Sequence, residues 1–191
     1  MLHAASKPRF TAPEILELVK IAAGSEHQAG RIDHGDPLVQ VNPHALPALF
    51  LTLRDHSELK LEQLIDVTAV HWPLEKDREF EVIWQFRSIT NNLYTRVSTR
   101  IADGEHIASA TSTYASANYL EREVFDLFGI YFKGHPNMQR ILLPDGYEGH
   151  PLRKEYPVEG PNFPEDAHRN DMFGDLDPDD FWSGVTEEAD K

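Results

Sequence analysis

The side chains best suited to chemistry are concentrated between positions 121 and 156, where acids, bases and imidazoles alternate with aromatics and glycines. The most distinctive pattern in this segment is Gly-His-Pro, which occurs twice, at Gly134-His135-Pro136 and at Gly149-His150-Pro151. Each proline restrains the histidine before it to extended backbone, and each glycine permits a tight turn. Both imidazoles are therefore predicted to lie on stiff, non-helical segments.

These histidines support two hypotheses. His135 and His150 could bind zinc or iron together with Glu121 or Asp126, because two imidazoles and a carboxylate suit either metal. Alternatively, the histidines hydrogen-bond to backbone or carboxylate groups and hold the loop in place. The sequence contains no His-Glu-x-x-His motif or other recognised ligand spacing, which favours the second hypothesis.

Acid–base, nucleophilic and nucleotide chemistry have weaker support. Glu121 and Glu123 are two residues apart in a predicted helix, so their carboxylates point to different faces. Asp145 and Glu148 flank a turn and could meet, but acids are common in turns for structural reasons. No Gly-x-Ser-x-Gly, Gly-x-Gly-x-x-Gly or phosphate-binding loop is present, so neither a nucleophilic serine nor a nucleotide site is predicted.

Composition narrows the function classes further. The 191 residues include no cysteine, which excludes thiolate-ligated iron–sulfur clusters, thiol nucleophiles and disulfides within them. The net charge of −14 argues against binding to nucleic acid or, unaided, to anionic lipid. No apolar run approaches the roughly 20 residues that span a bilayer, so no membrane span is predicted.

The chain begins with helical periodicity and then changes to strands. Thr11 and Glu14 form a capping box for a first helix that ends at Gly24, and a second helix follows Asn42 with its start delayed by Pro47. Residues 38–41 form a short strand-like run. Residues 64–71, 79–89 and 93–101 are predicted to be consecutive antiparallel strands, and the last alternates an apolar face with a basic face carrying Arg96 and Arg100. An acidic neighbour could bind this basic face.

A short apolar helix precedes the chemistry-bearing segment. Asn118 is predicted to cap it with Glu121 at the third helical position, and Gly129 to end it. Glycine and proline then recur too often for long regular elements. The predicted organisation is a globular α+β domain over 1–128 and an extended docking arm over 129–164. An acidic tail over 165–191, with a net charge of −8, is predicted to be partly disordered unless bound.

Two stretches then point to a known family. The sequence closely resembles the signature of the thirty-kilodalton, or C, subunit of NADH:quinone oxidoreductase (respiratory complex I) over YLEREVFDLFGIYFKGHP (119–136) and RILLPDGYEGHPLRKEYP (140–157). The strand at 64–71 also resembles the family at that point. The signature positions carried over by this match are Glu121, Arg122, Glu123, Asp126, Gly134, His135, Pro136, Arg140, Gly149, His150, Pro151, Arg153 and Tyr156.

The resemblance implies a non-catalytic subunit of the peripheral arm, with an α+β fold, a mixed or antiparallel sheet flanked by helices, and an extended C-terminal arm. It implies no cofactor in this chain, with FMN and Fe-S clusters in partner subunits. The expected partners are the D subunit, which carries the quinone site, and neighbouring Fe-S subunits, on the cytoplasmic face of the bacterial inner membrane. The alternatives are an equivalent subunit of a membrane-bound hydrogenase or photosynthetic NDH-like complex, and a stand-alone metal-dependent enzyme.

Overall fold

The computed structural model describes residues 9–144 and 146–157. The predicted acidic tail, the last part of the predicted arm and Asp145 lie outside the described residues.

Helices α1 (Ala12–Ala23) and α2 (Leu46–Asp55) confirm the first two predicted helices. The Glu14 carboxylate accepts a hydrogen bond from the Thr11 N–H at 2.7 Å, as a capping box requires. Gly24 ends α1 with a φ of 58°. Pro47 lies in the first turn of α2, which follows a short 3₁₀ turn at Pro43–Ala45. The prolines thus fall where a helix can accept them.

The main sheet has five strands in the order β1-β2-β5-β4-β3. Its members are β1 (His27–Asp33), β2 (Asp36–Val41), β3 (Gln63–His71), β4 (Phe80–Ser88) and β5 (Leu93–Ile101). The pairs β3–β4 and β4–β5 are antiparallel, as predicted, whereas β2 pairs with β5 in parallel. The fold is therefore α+β with a mixed sheet, which confirms the predicted fold class.

Strand β1 was not predicted from the sequence. It is an edge strand, and β2 is its one partner in the part of the chain that the structure describes. All of its residues are exposed except Asp33 at its end, which is half-buried. An edge strand without a buried face carries no alternation of apolar and polar residues, so the usual signal is missing.

One face of the sheet packs against the three α-helices found among the described residues and forms the core. Phe50 of α2 contacts Trp84 at 5.4 Å and Phe86 at 5.8 Å between ring centroids, and Tyr114 closes the cluster at 5.3 Å from Phe86. The predicted apolar face of β5 is buried as expected. Ser98 lies on the opposite, basic face but is fully buried.

Helix α3 (Ala117–Phe128) packs against β3, and two short parallel strands, β6 (Ile107–Ala108) and β7 (Phe132–Lys133), flank it in sequence. The predicted start of α3 was wrong. The residue before its first turn is Ser116, not Asn118, and Glu121 does not cap the helix. Glu121 is instead turned into the protein, because two groups outside the helix bind its carboxylate. The predicted end at Gly129 is confirmed, with a φ of 78°.

Candidate docking surface

The C-terminal end of α3 is closed by the segment that follows it. The last four carbonyl groups of a helix lack partners within the helix, so they need partners from elsewhere. In this chain all four have them. The pairs are Phe125 with the Gly129 N–H (2.8 Å), Asp126 with His150 Nδ1 (2.8 Å), Leu127 with the Leu152 N–H (3.1 Å) and Phe128 with Arg153 Nε (2.7 Å).

Gly129 is required by this arrangement for two reasons. Its φ of 78° lies in the left-handed region, where a side chain is unfavourable. A Cβ atom at this position would also lie 2.6 Å from the His150 ring and 3.0 Å from the Arg153 guanidinium. The glycine therefore allows the second Gly-His-Pro motif to reach the end of the helix.

Asp126 is fully buried and organises the loop at 140–143. Its Oδ2 atom accepts hydrogen bonds from the backbone N–H groups of Ile141 at 3.0 Å, Leu142 at 2.8 Å and Leu143 at 2.9 Å. Its Oδ1 atom accepts one from Arg140 Nη1 at 2.8 Å. Burial by itself would raise the pKa of Asp126, but these hydrogen bonds outweigh it and hold that pKa below its ordinary value. The group is thus an ionised structural centre.

Arginines connect this loop to the rest of the segment. Arg140 also donates to the Gly149 carbonyl at 3.1 Å, which links the loop to the second Gly-His-Pro motif. Arg122, on α3, donates to the carbonyls of Gln139 at 3.0 Å and Arg140 at 3.1 Å. Guanidinium groups suit this role because each presents several N–H donors in a fixed plane.

Arg153 connects the segment after α3 to residues of the main sheet and of the turn that follows β5. Its Nη1 and Nη2 atoms contact the two Asp103 carboxylate oxygens at 3.0 Å and 2.8 Å. Its guanidinium lies 5.0 Å from the centre of the Phe80 ring. The bidentate pairing lowers the pKa of Asp103, mainly through hydrogen bonding to Arg153. The neighbouring Lys154 N–H donates to Nδ1 of the buried His71 at 3.0 Å, which adds another attachment.

Glu121 and His135 form hydrogen bonds in the N-terminal half of α3. The Glu121 carboxylate is fully buried and accepts hydrogen bonds from Ser109 Oγ and the Ala110 N–H, both at 2.6 Å. Burial raises the pKa of Glu121 to about 7, because these two hydrogen bonds offset only part of the desolvation. His135 Nε2 donates to the Asn118 carbonyl at 3.0 Å, and its Nδ1 accepts the Asn137 N–H at 3.0 Å.

The remaining signature residues serve turns or lie on the surface. Gly134 and Gly149 have φ values of 87° and 85°, and a Cβ on Gly149 would lie 2.8 Å from the Tyr156 ring. Tyr156 in turn hydrogen-bonds to the Tyr147 hydroxyl at 2.7 Å. Pro136 and Glu123 are exposed, and Pro151 is half-buried.

The metal hypothesis has no support from this geometry. His135 and His150 bind different carbonyl groups, at Asn118 and Asp126, near opposite ends of α3. Within residues 9–144 and 146–157, no three histidine or acidic side chains are arranged to hold a metal ion. The proposed acid pair at 145 and 148 lies partly outside the described residues.

Around the closed end of α3, apolar side chains remain exposed. Tyr131 contacts Phe125 and is 42% exposed, and Leu152, whose N–H binds Leu127, is 48% exposed. The residues whose N–H groups bind Asp126 present two more, Ile141 and Leu142. We refer to these four residues, each attached to positions 125–127, as the candidate docking surface. Exposed apolar groups on rigid backbone are typical of interfaces.

Several residues that fix this surface were not singled out by the sequence. Asp103 pairs with Arg153 fifty positions away. His71 and Phe80 lie in two of the predicted strands, and Ser109 lies beyond the last of them. None of these pairings leaves a local pattern, because they arise only when distant segments pack together.

The family model and the named relatives point to one family. Residues 39–162 match the family model described as respiratory-chain NADH dehydrogenase, 30 Kd subunit. No helix in the described part of the chain is long and apolar enough to cross a membrane.

Similar proteins include three bacterial chains, each named as the C subunit of NADH-quinone oxidoreductase. The protein of Rhodobacter capsulatus is 39% identical over 132 residues, covering 69% of this chain and 66% of the relative. The values are 36% over 147 residues (77% and 73%) for Agrobacterium fabrum. They are 43% over 130 residues (68% and 79%) for Trichlorobacter lovleyi. The matches thus span from about two thirds to nearly four fifths of these relatives.

Two solved structures share the fold. The trypsin-resistant fragment (1-134) of Nqo5 has a TM-score of 0.54 at 21% identity, covering 65% of this chain and 97% of the fragment. A chain of the membrane-bound sulfane sulfur reductase, an archaeal respiratory membrane complex, has a TM-score of 0.58 at 23% identity, covering 76% and 85%. At these identities the likeness concerns the fold alone. Because the family match covers more than half of the 191 residues, the chain belongs to the family of the 30 kDa subunit of the respiratory-chain NADH dehydrogenase.

Proposed function

We propose that this chain is a non-catalytic structural subunit in the peripheral arm of a proton-translocating NADH:quinone oxidoreductase. In this role it supports electron transfer from NADH to quinone while binding no cofactor itself, with FMN and Fe-S clusters in partner subunits. Its main partner is the D subunit, which carries the quinone site, and its place is at the cytoplasmic face of the bacterial inner membrane through the complex.

The observation that carries this proposal is how the signature residues use their polar atoms. Asp126, Arg140, His150 and Arg153 bind backbone carbonyls, backbone N–H groups, each other or, for Arg153, the Asp103 carboxylate. A catalytic site needs groups directed toward a substrate. Groups directed toward their own backbone instead fix the shape of a surface, which supports a docking role.

A rigid surface lowers the entropic penalty of binding, because the partner does not have to order it. The candidate docking surface meets this condition, since its backbone is attached to α3 at Asp126 and Leu127. Its exposed leucines can then bury apolar area against the D subunit without rearrangement.

The proposal is tested by replacing Leu142 and Leu152 together with serine in a bacterial host that makes the whole complex. Both side chains are exposed, at 58% and 48%, so the fold is expected to tolerate the change. Affinity purification on this chain should then recover about tenfold less D subunit, because two apolar anchors are lost. Ile89→Ser is the matched control, since Ile89 is 58% exposed in the turn between β4 and β5.

Full recovery of the D subunit with the double variant would contradict the docking role of this surface. Equal losses with the double variant and with Ile89→Ser would also contradict it, since the effect would not be specific to the surface. The thermal unfolding of both purified variants, compared with the unchanged chain, separates loss of docking from loss of folding.

The likeness to a chain of the sulfane sulfur reductase complex favours one alternative of the same kind, a structural subunit of another respiratory membrane complex. The purified complex distinguishes the two. NADH-dependent reduction of a soluble quinone supports the first proposal, and its absence in an intact complex supports the alternative.

A further inference from the structure

A second surface lies along α1, beside the face of the helix that packs into the core. Residues Ile15, Leu16 and Val19 pack into the core. Leu18 and Ile21, which are three positions apart and therefore share another face of the helix, border a groove of about 430 Å³. Ile21 is 71% exposed, which is unusual for an isoleucine on a helix that already has a buried face.

The groove has an apolar floor and an acidic border. Phe10, just before α1, contributes to the floor together with Leu18 and Ile21, while the border is formed by Glu14, Glu17 and Glu58. No lysine or arginine is among the described residues that line the groove, but two lie beside it. Lys20 pairs with Glu17 at 2.8 Å, and Arg9 lies 5.1 Å from the centre of the Phe10 ring. Hydrogen bonds from the Thr11 backbone and hydroxyl lower the pKa of Glu14, so this carboxylate is negatively charged at neutral pH.

The groove wall determines what kind of backbone can bind there. Its main wall is a helix, whose backbone groups are already paired, so an extended peptide would find no strand edge to join. Side chains must therefore carry the recognition. A volume near 430 Å³ accommodates a few large apolar side chains, and the glutamates would attract lysine or arginine beside them.

We propose that this groove binds a basic amphipathic helix of a partner protein. Apolar residues three or four positions apart on that helix would enter the groove, and flanking lysines or arginines would pair with Glu14 and Glu58 and compete with Lys20 for Glu17. This surface is separate from the candidate docking surface, because α1 contacts β1 and β2 whereas α3 contacts β3 at the other edge of the sheet.

This inference goes beyond the proposed function. The family match begins at residue 39, so α1 lies outside it. The partner recognised by α1 is therefore not specified by family membership, and the protein would have two contact surfaces that can be occupied at the same time.

The test uses the full chain and a synthetic 18-residue helical peptide with leucines at helical spacing and lysines on both flanks. A second peptide with glutamate in place of every lysine serves as the charge control. Titration followed by fluorescence anisotropy should show binding of the lysine peptide alone, and the binding should weaken as salt is raised.

Two variants test whether the peptide binds in the groove. Ile21→Ser should weaken the affinity about tenfold by removing an apolar anchor, and the double variant Glu17→Gln, Glu58→Gln should do so by removing charge. The matched controls are Leu74→Ser, in the turn between β3 and β4, and Glu123→Gln on α3. Both change exposed side chains that do not line the groove, so they should alter the affinity by less than about twofold.

Three results would overturn the proposal. The first is binding that none of the groove variants changes, because the peptide would then be attracted to the net charge of −14 alone. The second is a tenfold gain in affinity on removal of residues 1–8, which would identify the N-terminus of this chain as the occupant. The third is a dimer in sedimentation that Ile21→Ser dissociates, which would identify a second copy as the occupant.

Discussion

The core of the sheet and the segment after α3 contrast in the contacts that hold them. In the core, Phe50, Trp84 and Phe86 are completely buried and meet through their rings. After α3, the described residues between 129 and 156 contain one two-residue strand, and side chains bonded to backbone groups fix the chain. One region is stabilised by apolar area and the other by directed hydrogen bonds.

The difference has consequences for how each region responds to change. Apolar burial is not directional and is shared by many neighbours, so a core defect lowers the stability of the whole domain. A directed hydrogen bond fixes one local geometry, so its loss releases a segment first. The segment after α3 can therefore loosen while the sheet remains folded.

The two buried carboxylates of α3 also differ, because their pKa values are shifted in opposite directions. Asp126 accepts three backbone N–H groups and an arginine, and its pKa is lowered. Glu121 accepts two neutral donors, and burial raises its pKa to about 7. The number and charge of the donors decide whether burial or hydrogen bonding controls ionisation.

The largest effect is expected in the core. Phe50→Ala should lower the free energy of unfolding by about 3 to 5 kcal/mol, because it removes a completely buried ring and leaves a cavity among Trp84, Phe86 and Tyr114. Urea denaturation followed by tryptophan fluorescence measures the change. A loss of stability that is confined to one segment and leaves the sheet unaffected would contradict the expectation that a core defect destabilises the whole domain.

Asp126→Ala should act more locally. The loop at 140–143 loses the acceptor of three N–H groups, and Arg140 loses its carboxylate partner. We expect the free energy of opening of this loop to fall by roughly 2 to 3 kcal/mol. Hydrogen exchange at the amides of Leu142 and Leu143 should then accelerate about 30-fold or more.

The exchange rates of amides in β4 and β5 serve as the internal reference for Asp126→Ala. Glu123→Gln is the matched variant on the same helix, because Glu123 is exposed. Equal acceleration in the sheet and in the loop would show that the two regions unfold as one unit and would contradict the prediction.

Glu121 gives the smallest effect, visible as a dependence on pH. Below pH 4.5 the group is protonated in both the folded and the unfolded chain. As pH rises toward 7, the unfolded chain releases the proton while the folded chain retains it, so stability falls over this window. The expected loss is roughly 1 to 2 kcal/mol, below the limit of about 3 kcal/mol that the shift sets.

Glu121→Gln removes this titration and keeps the size of the side chain. The difference in free energy of unfolding between the two proteins, measured between pH 5 and pH 8, should therefore move in favour of the variant as pH rises. Parallel curves for the two proteins over this range would contradict a raised pKa at Glu121.

Much of the fold could be predicted because its signals are local. The capping box at Thr11, the alternation along β5 and the glycine at 129 each act within a few residues, and the structure confirms all three. Strand β1 could not be predicted, since an exposed edge strand has no buried face to produce a pattern. The sequence pattern favours Asn118 as the cap of α3, because asparagine suits that position. Residue type alone does not show which of several helix starts the tertiary contacts favour.

For the candidate docking surface, too, one part could be predicted from the sequence and another could not. The sequence indicated that both histidines lie on stiff backbone, and that cations and carboxylates are concentrated after α3. It left open whether those groups bind a metal, each other or the backbone. The choice was made by pairs such as Arg153 with Asp103 and His150 with the Asp126 carbonyl, which packing brings together across 50 and 24 positions.

The sequence by itself determined the type of helices α1 to α3 and of strands β2 to β5, the end of α3 and, through the signature in 119–157, the family. Only the tertiary structure decided that Glu121 is buried rather than capping, and that the end of α3 is closed by His150, Leu152 and Arg153. The physical reason is the distance along the chain over which each effect acts. Propensities and periodicity act over a few residues, whereas the orphan carbonyls at a helix end accept whichever donors the folded chain brings within about 3 Å.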